Sequence, residues 1–298
     1  MQNNTITKEE YKKYIGLSED FAFNKLKPYE DSSFRKKIYP YFSDEFISDL
    51  KINQISIFEL IKKAAACYAL VASLPFIKVK ISSFGLDKYQ QEKMKSAEWY
   101  DIRDLGLSLI KIADEAISDA ITEIGENPEL KSQCDFYKNI SFNPIPTPQE
   151  FDEIYSINKS MDTYIALTKL MKRVWLNSIT IQVKDCTIDQ IFLNDDLKFL
   201  MKDAIVYYSL SLALKLSQFT FVTSGVVIQY EELPWQKSLI LSSEDKCKLE
   251  EEFSKIAAEG IENIIKHLKN NPGEFPCYEP ITITSGREII ERKSGLYI

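Results

Sequence analysis

Histidine is almost missing: a chain of 298 residues carries one, His267. A Ser-His-Asp or Cys-His nucleophile has only that residue to draw on, and no second histidine can join it in a metal site. It falls near the end of an expected helix, where a cation is favoured by the helix dipole, so a structural role is expected of it. No P-loop, G-x-G-x-x-G or nucleophile elbow occurs. The five cysteines (Cys67, Cys134, Cys186, Cys247, Cys277) are odd in number, scattered and never at metal-ligand spacing, which leads us to expect free thiols in a reducing cytoplasm. Only nine glycines are present, with no long low-complexity stretch, so most of the chain is expected to be ordered. No run of about 18 apolar residues suggests a membrane span, and the N-terminus lacks the apolar core of a signal peptide.

Basic charge is also in deficit. The formal net charge is −7, which speaks against a nucleic-acid grip built on clustered Lys and Arg. The densest basic run, Arg35-Lys36-Lys37, is flanked by Glu30-Asp31 and Asp44-Glu45 and reads as a solvated helix face.

What is abundant is repetition. Nine apolar positions recur with a constant offset of 144: Leu105, Leu109, Ile112, Ala113, Ala116, Ile117, Ala120, Ile121 and Ile124 match Leu249, Phe253, Ile256, Ala257, Gly260, Ile261, Ile264, Ile265 and Leu268. Each stripe ends in Asn-Pro, at Asn127-Pro128 and Asn271-Pro272. A second helix repeats at offset 140, with Ile57, Leu60, Ile61, Ala64, Ala65, Tyr68 and Ala72 matching Leu197, Leu200, Met201, Ala204, Ile205, Tyr208 and Leu212. Val79-Lys-Ile81 with Gly85 parallels Phe219-Thr-Phe221 with Gly225. A period this long means two tandem domains rather than a solenoid, each near the usual size of about 140 residues.

Along the chain, residues 6–18 read as a short amphipathic start opened by Thr7 and Lys8-Glu9-Glu10. Residues 20–50 carry a second apolar period broken by Pro28 and Pro40, and 56–74 form the first strong helix, stopped by Pro75. Ile77 to Ile81 alternates as a half-buried strand with Gly85 at a turn or bulge, and 88–124 are helical. Pro144, Pro146 and Pro148 mark residues 144–149 as a stiff extended linker. The domains expected are therefore 1–143, 150–274 and a C-terminal extended arm, 275–298. In the second copy 150–177 and 196–216 are helical, 218–230 form a hairpin turning at Ser224-Gly225, and 243–270 is a closing helix capped by Ser243. The fold class is mainly α (α+β): two duplicated helical bundles, each with a short β-hairpin or arm.

Candidate chemistry is sparse. Asp114-Glu115 and Asp195-Asp196 are acid pairs, but neighbours on a helix do not face each other, so solvated surface is expected. Trp99 lies at helical spacing, suiting packing or an interface. Trp235 beside Pro234, in the segment after Tyr230, is the best single anchor for a protein partner, though closing its own hairpin is an equal reading.

Several segments resemble an uncharacterised family of structural proteins of Bacteroidota phages and prophages, crAss-like phages included. They are Ser96-Ala-Glu-Trp-Tyr-Asp-Ile-Arg-Asp104, Ile157-Asn-Lys-Ser160 leading to Tyr164-Ile-Ala-Leu167, Thr223-Ser-Gly225 followed by Tyr230-Glu-Glu-Leu-Pro234, Asn271-Pro-Gly-Glu-Phe-Pro276 and Phe23-Asn-Lys-Leu-Lys-Pro28. One departure stands out: the second copy has Thr168-Lys-Leu170 where a proline like Pro28 is expected.

The resemblance implies a virion component of the head-to-tail region, made in the host cytoplasm, similar to connector and adaptor (tail ring) proteins. Its function would be assembly: a homo-oligomeric ring, twelve-fold by analogy, contacting the portal and neighbouring connector or tail rings. No enzyme activity, cofactor, metal, membrane or sequence-specific nucleic acid is expected. The strands (Ile77, Val79, Ile81, Phe219, Phe221), the aromatic Trp99 and the C-terminal arm with Tyr297 would supply the interfaces. A cytoplasmic protein-binding adaptor or regulator outside the virion, and an enzyme on a duplicated scaffold, are the competing classes.

Overall fold

The computed structural model describes residues 5–17, 21–77, 79–82, 85–88, 99–140, 144–222, 225–228 and 242–278. The first copy runs through α1 (Lys8–Ile15), a 3-10 turn (Phe23–Lys25), α2 (Lys27–Ser33), a π-helical turn (Phe34–Ile38), α3 (Asp44–Asn53) and α4 (Ile55–Ile77). It continues with β1 (Val79–Ser82), β2 (Gly85–Lys88), α5 (Trp99–Glu126), α6 (Pro128–Gln133) and α7 (Asp135–Asn139). The second copy comprises α8 (Pro148–Asp152), α9 (Met161–Val174), a π-helical turn (Trp175–Ile179), α10 (Thr180–Val183), α11 (Ile188–Ile191), α12 (Asp195–Leu214), β3 (Phe219–Val222), β4 (Gly225–Ile228) and α13 (Ser243–Asn270). The fold is mainly α.

The repeat is visible element by element. Helices α5 and α13 each have 28 residues, and both end at an Asn-Pro pair. Asn127 caps α6 with its side chain, whereas Asn271 closes α13 by donating from its side chain to His267 O, 2.9 Å away. The two hairpins share one antiparallel register: Val79↔Lys88 and Ser82↔Gly85 in the first, Phe219↔Ile228 and Val222↔Gly225 in the second. The π-helical turns recur at Phe34–Ile38 and Trp175–Ile179, a match that apolar periodicity does not reveal.

An ion pair is duplicated as well. Thr7 caps α1 by accepting from Glu10 N, and Thr147 caps α8 by accepting from Glu150 N at 3.1 Å. The carboxylates so positioned pair with lysines on the long helices, Glu10 with Lys62 and Glu150 with Lys202. Lys62 is almost fully buried; stripping one partner from a buried pair costs about 3–5 kcal/mol, because the remaining charge stays desolvated. Burial pushes the Glu10 carboxyl up, but hydrogen bonds from Lys62 and Thr7 outweigh it and hold the group below its usual range.

Four expectations need correction. Pro75 does not stop α4, which continues to Ile77; a proline in the last turn forfeits one hydrogen bond where few remain to be made. The Pro-rich segment is not an extended spacer. Thr147 and Pro148 are N-cap and first residue of α8, and Ile145 is fully buried, since proline's fixed φ suits the first helical position. Gly85 opens a strand that runs to Lys88, where a turn or bulge and then a helix from 88 are expected from the sequence. Ser242, not Ser243, caps α13.

The departure from Pro28 has a local consequence. Pro28 sits in the first turn of α2, a seven-residue helix. Without a proline at the matching place, α9 extends N-terminally to 14 residues from a Ser160 cap.

The copies are not separate beads. One continuous apolar core runs from Ile6 and Tyr11 to Leu268 and Phe275. Within each copy the long helices pair, α4 with α5 and α12 with α13. Helix α4 is long and apolar enough to cross a membrane by composition, but more than half of its apolar window is buried inside the protein, and it packs against α1, α2, α3 and α5.

Candidate interaction surfaces

The strand residues divide by face. Phe219 and Phe221 point the same way, as alternate strand positions must, and both are buried, at 3% and 1% exposure. They belong to the core where β3 meets α12, which corrects their reading as interface residues. Ile77, the last residue of α4, is half-buried against the core. Val79 and Ile81 lie opposite Lys88 and Leu86 in the first hairpin, and Trp99 opens α5. Tyr230, Pro234, Trp235 and Tyr297 lie outside the described residues.

The acid pairs separate in the same way. Asp195 and Asp196 are exposed in the first turn of α12. Asp114 is not solvated: it is 5% exposed and accepts a hydrogen bond from the Tyr68 hydroxyl. Burial, reinforced by the nearby Asp162 carboxylate, pushes its carboxyl up to about 7 against the opposing pull of Tyr68, Lys37 and Ser160. Lys37 lies over the Tyr68 ring at 5.6 Å and pairs with Asp162, which also accepts from the Tyr41 hydroxyl at 3.4 Å.

This cluster is the seam between the copies. Asp114, Tyr68, Lys37 and Tyr41 come from the first, Ser160 and Asp162 from the start of α9 in the second. Around it Phe136 stacks on Tyr164 with centroids 6.2 Å apart, and Lys159 reaches Asp119 at 3.7 Å. Tyr164 donates to Ile145 O at 2.7 Å, fixing the α8 approach to α9. A cleft of about 500 Å³ opens along the seam between Pro40, Tyr41 and Phe136 on one side and Asp162, Ile165 and Lys172 on the other. Asp114 does not line it, so the group with the perturbed acidity is closed off from the open space.

Periodicity alone misses this cluster. Asp114 interrupts an apolar stripe, between Ala113 and Ala116, and its counterpart at offset 144 is Ala258. A charge inside a core stripe that the other copy lacks is the one sequence signal that marks it.

A second cleft, of about 730 Å³, lies between α6, α8, α11 and α12, where Lys131, Lys184, Lys198 and Lys202 face Glu150, Asp185 and Asp189. Among the described residues no group of three or more His, Cys, Asp or Glu side chains could hold a metal ion. His267 stacks edge-on against Phe275 at 5.9 Å, and its Nε2 has no hydrogen-bond partner among the described residues.

The cysteines depart from expectation. Cys186, after α10, and Cys277, after α13, form a disulfide with a Cα–Cα distance of 4.9 Å, leaving Cys67 and Cys134 buried and Cys247 exposed as free thiols. Sequence spacing could not show this pair, since 91 residues separate its members.

The surface also carries large apolar side chains. Ile52 (78% exposed), in the last turn of α3, and Leu193 (86%), in the turn before α12, stand just ahead of the paired long helices, and Ile181 (73%) stands on α10.

No curated protein and no solved structure matches the chain significantly. A family described as a family of unknown function (DUF6712) matches residues 5–136 and 166–285, one segment in each copy. The chain belongs to that family.

Proposed function

We propose that this chain is a structural protein of a tailed-phage virion that assembles into a ring in the head-to-tail connector region. The observation that carries the reading is the pair of equivalent units, long helix–hairpin–long helix, locked into one core with hairpins in the same register. Duplicated rigid units suit repeated contacts around an axis better than a single catalytic site. The resemblance of segments in both halves to phage structural proteins supplies the setting. The acidic balance suits a surface past which DNA slides without adhering.

Light scattering across a concentration series, with negative-stain imaging of any large species, tests the proposal. Closed rings support it and report their symmetry directly. Absence of the chain from purified particles overturns the virion assignment and favours the adaptor reading.

A further inference from the structure

The seam between the copies is heterologous: each copy contributes a different surface. The first offers the end of its π-helical turn and the middle of α5 (Lys37, Pro40, Tyr41, Asp114). The second offers the approach to α9 (Ser160, Asp162, Tyr164). Because the copies share one fold, each surface type is left over once, a socket on the second copy and a plug on the first. A heterologous contact that is used once and left open once is the geometry that generates rings or filaments.

The leftover surfaces can be read residue by residue. Between the 3-10 turn and α3 the copies align at offset 141, where buried residues match buried residues: Leu26 with Leu167, Phe34 with Trp175, Ile38 with Ile179, Phe42 with Val183. At that offset Lys37, Pro40 and Tyr41 become Ser178, Ile181 and Gln182, and at offset 144 Asp114 becomes Ala258. On the plug, Ser160, Asp162 and Tyr164 become Glu19, Phe21 and Phe23. The seam's Lys37–Asp162 ion pair thus maps onto Ser178 and Phe21, so both charges vanish together.

Losing one charge alone would strand its partner in the contact, which is costly; losing both leaves neither member of that pair unmatched. The exposures agree. Ile181 is 73% exposed, Gln182 and Ala258 are exposed, and Phe21 is half-exposed, packed edge-on against Phe23 with centroids 5.4 Å apart.

We infer that the Phe21–Phe23 turn of one molecule docks on the Ser178–Gln182 and Ala258 face of a second copy of this chain, repeating the internal seam between molecules. The inference rests on the ring reading and names its subunit contact.

Two chains in a Cys247→Ser background test it, one with Ala22→Cys and one with Gln182→Cys. Both positions are exposed, and the second is the counterpart of Tyr41, which bonds Asp162 across the seam. A short bis-maleimide is expected to join the two in a mixture while giving no covalent dimer with either alone. The double variant should give a ladder. In parallel, Ile181→Asp should raise the concentration for half-assembly at least tenfold, with an unchanged circular-dichroism melt.

Cross-linked dimers of Ala22→Cys alone, or an Ile181→Asp chain that assembles like the parent, overturn the inference. An oligomer that forms without the mixed cross-link overturns this contact and leaves the ring reading standing. A chain that neither oligomerises nor cross-links at any concentration overturns both.

Discussion

Asp114 shows how one side chain turns a packing problem into an acid–base one. Its carboxyl is raised to about 7 chiefly by burial, so the folded protein holds a proton there that the unfolded chain releases near pH 4. Stability therefore falls as pH rises from about 4 to 7, because the folded state must either keep a proton that the unfolded chain has released to the solvent or bear a buried charge. A shift of this size corresponds to roughly 4 kcal/mol. Asp114→Asn keeps an acceptor for the Tyr68 hydroxyl and removes the titration. Urea midpoints at pH 5 and pH 8 should therefore differ clearly in the parent and less in the variant, where burial still raises the Glu30 and Asp203 carboxyls. Equal pH dependence in both would place the titrating group elsewhere.

At the scale of elements, the close approach of α12 and α13 depends on Gly260. A methyl group there would stand 3.3 Å from Ala204 Cβ, which is tight but open to a small adjustment. The first copy places Ala116 and Ala64 at the corresponding positions, both buried. Gly260→Ala is accordingly expected to change stability little, since better helix propensity, about 1 kcal/mol, offsets the crowding. Gly260→Val should cost about 1–3 kcal/mol by forcing the helices apart. Chemical denaturation of the two variants checks the contrast, and similar losses in both would show that the helices cannot give at all.

Gly125 meets a different constraint. The Tyr137 hydroxyl lies where its Cβ would be, 2.3 Å away, and donates to Ile121 O at 2.8 Å. The glycine clears space for a tyrosine that ties α7 back to the end of α5.

For the whole molecule, the Cys186–Cys277 disulfide closes a 91-residue span across the second copy. By chain entropy alone a loop of that length gives about 4–5 kcal/mol. Non-covalent contacts hold the same segment: Phe275 and Tyr278 are buried, and Lys184 lies over the Tyr278 ring at 5.2 Å. Burial pushes the Cys67 and Cys134 thiols up to about 11. In the native oxidised protein Cys247 is expected to alkylate fast and those two slowly. Peptide mapping after timed iodoacetamide exposure reads this directly, and rapid labelling of Cys186 or Cys277 would show the bridge unformed.

The sequence by itself determined the repeat, the long helices, the second hairpin, the first strand of the other and the mainly α class. These follow from local periodicity of 3.6 or 2 and from Asn, Pro and Gly punctuation, all readable within a short window. It could not decide that Pro75 is carried inside α4, because a helix held by tertiary packing tolerates a proline in its last turn. Nor could it show that Phe219 and Phe221 face inward, since alternation says that two residues share a face without saying which face is covered. The seam cluster, the disulfide and the fusion of both copies into one core join residues from 46 to 125 positions apart. Only the tertiary structure brings such residues together, because the energy that unites them is burial in a shared core rather than any preference of the local chain.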